Sequence, residues 1–176
     1  MSHHTNALRA ATAAALISGF AFAGAVAATA DPTNTGSPAD VNTLAASLSK
    51  GYGLNNCTPQ QLTGSGELAE LLCGQSPDPI GPRGALYALF SNGADLAASF
   101  SATIKDVSLT ACGDSGESPT TWHPGSSGQT AGQVACGTYQ DTATITWTND
   151  SKNMLGHITE SNPDVQSLYQ WWRANG

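Results

Sequence analysis

Residues Gly132–Trp147 read GQVACGTYQDTATITW, and this stretch decides the fold. Its second half alternates strictly: Ala143, Ile145 and Trp147 fall on one side, Thr142, Thr144 and Thr146 on the other. Successive side chains of a strand point to opposite faces, so a period of two marks a strand with one buried face and one face toward water. Gly132–Tyr139 precedes it as the first strand of a hairpin. Asn149-Asp150-Ser151 supplies turn residues, after which Met154–Thr159 returns as a third strand.

Working outward, Ala85–Phe90 and Val107–Ala111 read as further strands. Between them Asn92 caps a helix whose Leu96, Phe100 and Ile104 lie four apart on one face. Near the start, Ser37 caps, Pro38 takes the first helical position, and Val41, Leu44, Ala45 and Leu48 form an apolar face that Gly51 ends. Leu68, Leu71 and Leu72 suggest a short helix near Glu67–Leu72. Gln75–Gly84 (QSPDPIGPRG) is a linker or surface loop. At the end Asn162 caps, Pro163 follows, and Val165, Leu168, Tyr169 and Trp172 make one stripe, with Trp171 beside it at the rim or in solvent. This order predicts an α+β domain: an antiparallel sheet of about four to five strands with helices packed on one face.

Charged residues are only 11% of the 176, with 6 basic against 13 acidic and a net charge of -7. Neutralising phosphates takes clustered Lys and Arg, so nucleic acid and anionic membrane surfaces are poor partners. Few charges suit uncharged ligands or a protein surface, because desolvating Ser, Thr and Asn is easier than desolvating ions.

Residues 1–30 read as an export signal: Arg9, then an uncharged Ala-rich run, then Ala28-Thr29-Ala30 before Asp31-Pro32. Cleavage between Ala30 and Asp31 would leave a disordered arm at 31–37 and a single domain at 38–176; retention as an anchor is the competing reading. A secreted or cell-envelope protein is expected, with no membrane association after cleavage.

The four cysteines, Cys57, Cys73, Cys112 and Cys136, all follow that signal. An even count in an exported chain reads as two disulfides, and the absence of any C-x-x-C spacing argues against zinc. Three pairings are possible. Cys57–Cys73 and Cys112–Cys136 are favoured because each brackets its own local segment. The smaller loop is worth roughly 3 kcal/mol in the chain-entropy model.

Chemistry-bearing motifs are few. Gly113-Asp114-Ser115-Gly116 matches the string around a serine-protease nucleophile, but a nucleophilic Ser needs a base and an orienting carboxylate. The one nearby His, His123, follows on the same loop. A small hydrolase using Ser115, His123 and Asp114 is the alternative reading; a turn after Cys112 is the simpler one. The carboxylate pairs Asp114/Glu117 and Glu67/Glu70 read as solvated charges, and His157 as a hydrogen-bonded structural residue. No phosphate loop or metal-ligand cluster is present in the sequence, so no cofactor and no metal are expected. Trp122-His123-Pro124 offers an aromatic platform and a hydrogen-bonding group on a disulfide-tethered loop, with Arg83 contributing if the two loops meet. The competing role for Trp122 is a plug on the sheet.

Several stretches together resemble one family: Gly51-Tyr52 with Asn56-Cys57-Thr58-Pro59, Pro82–Phe90, Trp122, Gly132–Tyr139, Trp147-Thr148-Asn149-Asp150, and Leu168–Trp172 with Ala174-Asn175-Gly176. The pattern, from about Ala39 onward, is similar to mycobacterial secreted proteins and to the extracytoplasmic domain attached to some mycobacterial serine/threonine protein kinases. The resemblance brings no ligand or catalytic residue with it. It implies a free-standing version of the exported part, without a kinase domain. The expected function is an exported, non-catalytic binding or sensor-like domain whose partner is an uncharged envelope component or another protein.

Overall fold

The computed structural model describes residues 34–125 and 128–176. The signal at 1–30, its Ala30/Asp31 cleavage point and the first part of the expected arm lie outside them. Elements follow in the order α1 (Pro38–Ala45), β1 (Cys57–Pro59), β2 (Glu67–Cys73), β3 (Gly84–Phe90), α2 (Gly93–Thr103), β4 (Ser108–Thr110), β5 (Thr120–Trp122), β6 (Gly132–Tyr139), β7 (Thr142–Asn149), β8 (Met154–Thr159) and α3 (Val165–Asn175), with 3-10 turns at Gly113–Ser115 and Asp150–Lys152.

The strands form one antiparallel sheet in the order β1-β2-β3-β8-β7-β6-β4. β5 pairs with the Gly132–Val134 end of β6, and β4 with its Cys136–Thr138 part, so the two share one edge of β6 end to end. Among the described residues the sheet therefore has 8 strands, not four to five. Two of the unexpected ones, β1 and β5, are 3 residues long and too short to show an alternation, whereas β4 is the Ser108–Thr110 part of the expected Val107–Ala111 strand. Another, β2, is the expected short helix. Its leucines sit at helical spacing, but Leu71 is buried and Leu72 half-exposed because they lie on opposite faces of a strand. Pairing with both β1 and β3 supplies the ladder that decides it.

Both disulfides are the favoured pair. Cys57 and Cys73 face each other directly across β1 and β2 with Cα atoms 4.0 Å apart. Cys112 follows β4 and bridges to Cys136 on β6.

The helices lie on both faces rather than one. α1 and α3 pack on the face that carries Leu71, Tyr87, Val134, Ile145, Trp147 and Ile158. α2 packs on the other, setting Leu96 and Phe100 against Ala88, Phe90, Ala135 and Leu155. This is why the expected wet face of β7 is dry: Thr144, Thr146 and Thr148 are buried beneath or beside α2. Their hydroxyls are satisfied in place, Thr144 donating to the Gly137 carbonyl and Thr148 to Asp150 at 2.7 Å.

The larger face is built on aromatic rings. Trp171 meets Tyr52, Tyr52 meets Tyr87, Tyr87 meets Trp147, Trp147 meets Trp172, and Trp172 meets Trp122 and Tyr169, with centroids between 5.4 and 6.4 Å apart. Four of these six contacts are edge-on, an arrangement that ring quadrupoles favour, and two are tilted. Trp171 is buried, not at the rim: the Pro-rich loop folds over it, and its indole N–H donates to Asp78 at 3.0 Å.

The helix ends follow local chemistry with two adjustments. Ser37 accepts from the Asp40 amide and Asn92 from those of Ala94 and Asp95, as expected of caps. α1 stops at Ala45, earlier than Gly51. α3 is capped by Asp164, whose side chain accepts from the Ser167 amide, while Asn162 holds the Asp164 amide one step upstream. The end of the expected arm is anchored: the Asn34 carbonyl accepts from the Leu62 amide at 2.9 Å. No helix of the described residues is long and apolar enough to cross a membrane.

Candidate functional site

The segment after Cys112 is a frame more than a loose loop. The 3-10 turn at Gly113–Ser115 abuts α3, where Gly113 lies against the Tyr169 ring with no room for a Cβ. The Ser118 hydroxyl bonds both the amide and the carbonyl of Cys136, at 2.9 and 3.0 Å, beside the disulfide. β5 then adds Thr120–Trp122 to the sheet edge.

Trp122 ends the aromatic chain. Its ring stands edge-on to Trp172, and its indole N–H donates to the Thr148 carbonyl at 2.7 Å. These contacts give it the plug role, and it is half-buried. His123 follows it, with its carbonyl accepting from Arg173 at 3.2 Å and its Nδ1 buried without a partner among the described residues. Around them lies an open depression of about 520 Å3, walled by Asp114, Thr121, Gln166, Tyr169, Gln170 and Arg173.

Ser115 and His123 line this same depression but are not hydrogen-bonded to each other. The Ser115 hydroxyl lies 2.8 Å from the Cys112 carbonyl and 3.0 Å from that of Glu117, the bonding of a turn serine. A nucleophile would present that proton to the imidazole.

Arg83 does not join the site. Its amide bonds Thr159 at the far end of β8, and its guanidinium pairs with Glu160 at 3.5 Å and Gln75 at 3.2 Å. Thr159 pairs with Thr144 whereas Trp122 packs at Thr148, so the two loops sit at opposite ends of the sheet. Tertiary register, not local sequence, decides that separation.

His157 is hydrogen-bonded within the sheet, its Nδ1 2.8 Å from the Thr146 hydroxyl on the paired strand. Burial of the ring pushes its pKa down to about 4. The carboxylate pairs behave differently. Glu67 accepts from the Thr63 and Gly64 amides, while burial and the neighbouring Glu67 raise the pKa of Glu70. Glu117 and Asp114 are exposed. No group of three or more His, Cys, Asp or Glu among the described residues is placed to hold a metal ion.

Residues that the sequence left out of the site are the α3 side chains Gln166, Tyr169, Gln170 and Arg173. Part of the signal was available: beside the apolar stripe of Val165, Leu168, Tyr169 and Trp172, Gln166, Gln170 and Arg173 form a polar flank adjoining Tyr169, but Tyr169 itself reads as a core residue.

No family model matches the chain, nor does any curated protein or solved structure.

Proposed function

We propose that the protein works outside the cytoplasm by non-covalent recognition, as does the mycobacterial kinase extracytoplasmic domain it resembles. Export fits the two disulfides, which persist in oxidising compartments. One observation carries recognition: the depression between the Gly113–Gly125 segment and α3, framed by a disulfide, a strand edge and the Trp122–Trp172 contact, presents hydrogen-bonding side chains on rigid elements. Its amides Gln166 and Gln170 and its opposite charges Asp114 and Arg173 suit the mixed donors and acceptors of a polypeptide surface. Trp122 supports the site from beneath, and Tyr169 offers the accessible ring.

The test is chemical cross-linking of the full-length protein to an envelope extract, with Thr121→Arg and Gln170→Arg variants alongside. Both positions are exposed, so the fold is retained. A polypeptide cross-linked by the wild type and lost from both variants supports the reading. Equal capture by all three contradicts the site. Ester hydrolysis abolished by Ser115→Ala contradicts the non-catalytic role.

A further inference from the structure

On the opposite face of the sheet from α3, α2 leaves the Thr144–Thr159 end uncovered, and a second cleft of about 400 Å3 opens there. That volume lies within the range of small-molecule sites. Its floor is Thr142, Thr144, Thr159 and His157; its walls are Asp106, from the link after α2, and Tyr139 with Gln140, from the β6–β7 turn.

The hydrogen-bonding state of the floor follows from one contact. Thr146 is 1% exposed, and its hydroxyl lies 2.8 Å from His157 Nδ1. With the buried hydroxyl as donor, Nδ1 accepts its proton and the proton of the neutral ring is assigned to Nε2. His157 lines the cleft, and Nε2 is the ring nitrogen that Thr146 does not engage. Burial keeps this ring neutral through the physiological range.

The turn that overhangs the cleft is strained. Gln140 and Asp141 are the two central residues of the β6–β7 hairpin, at φ 49° and 62°. Positive φ at both positions ordinarily selects Asn-Gly. Left-handed backbone at a residue with a long side chain is unfavourable and clusters at functional sites. Here it sets Gln140 and the 46% exposed ring of Tyr139 beside the cleft.

We propose that this cleft binds a neutral sugar residue. The Thr159 hydroxyl and the Gln140 amide both donate and accept, the Thr142 and Thr144 hydroxyls, whose protons go to the Gln140 and Gly137 carbonyls, accept, the His157 ring donates, and Asp106 accepts, which matches the paired donors and acceptors of vicinal hydroxyls. Tyr139 offers an apolar ring face to the C–H side of a pyranose. None of the lining residues is Lys or Arg, and Asp106 repels anions, so sugar acids and phosphates are disfavoured. The site is independent of the depression on the other face.

The test is an NMR titration of the full-length protein with methyl glucoside, methyl mannoside, methyl galactoside and linear oligosaccharides of each, with glucuronate and inorganic phosphate as anionic probes. Saturable shifts in the amides of 139–144 and 157–159 are expected with at least one neutral sugar. Tyr139→Ala and Asp106→Ala, both at exposed positions, should each weaken binding about tenfold while the remaining spectrum is unchanged. A preference for oligosaccharides over methyl glycosides identifies a chain residue as the ligand, and the reverse a free sugar. The proposal is overturned if no neutral sugar shifts these amides, if the anions bind as tightly, or if binding survives in both variants.

Discussion

The Trp147 indole lies over Gly156 on the neighbouring strand, filling the space a side chain would take. From there it touches Tyr87 on one side and Trp172 on the other, so one glycine seats the centre of the aromatic core. Gly156→Ala would drive a methyl group into that ring. Overpacking of this kind should destabilise the protein by about 1–3 kcal/mol in urea unfolding, with the slope unchanged.

His157 should make stability depend on pH. Its folded pKa of about 4 lies below the ordinary 6.5, so the unfolded chain binds a proton that the folded one refuses. Stability from this group is complete above about pH 6.5 and falls as pH drops toward 4, by on the order of 2–3 kcal/mol. Unfolding midpoints from pH 7.5 to 4.5 should slope less in His157→Gln than in the wild type.

Replacing Gln140→Asn together with Asp141→Gly relieves the left-handed strain of the β6–β7 turn. A gain of about 1 kcal/mol is expected in thermal unfolding. The same change removes the Gln140 amide from the cleft, so any sugar affinity should fall as stability rises.

Removing the Cys57–Cys73 bridge by a double alanine substitution should lower stability by about 3 kcal/mol. The bridge closes a short loop and ties β1 to β2 at the sheet edge. Guanidinium unfolding of the variant against the oxidised wild type reads the difference.

The hairpin, the return strand β8 and both terminal helices were legible because each is long enough to show a period or a cap. The bridges were legible from local bracketing. Glu67–Cys73 misled because in a run this short Leu68, Leu71 and Leu72 fit a helical face as well as a strand, and only the neighbours β1 and β3 decide. The threonine face misled for the converse reason: its alternation is real, but α2 folds over it, which no local pattern in β7 announces. Of the candidate site, Trp122 and His123 lie in one place, while Arg83 sits across the sheet. The His157 cleft joins residues from three separate stretches, 103–107, 139–144 and 157–159, and its threonines looked like ordinary surface until α2 and the β6–β7 turn gave them walls.

Recognition at the depression, with Trp122 beneath it as support, is tested most directly by comparing stability and partner affinity in Trp122→Phe and Gln170→Arg. Phenylalanine keeps an aromatic ring against Trp172 but cannot donate to Thr148. Trp122→Phe should lose about 2 kcal/mol of stability and hold the cross-linked partner within a few-fold of wild type. Gln170→Arg should keep its stability and lose the partner. The opposite pattern, a stable Trp122→Phe that no longer binds beside a Gln170→Arg that binds normally, would contradict it.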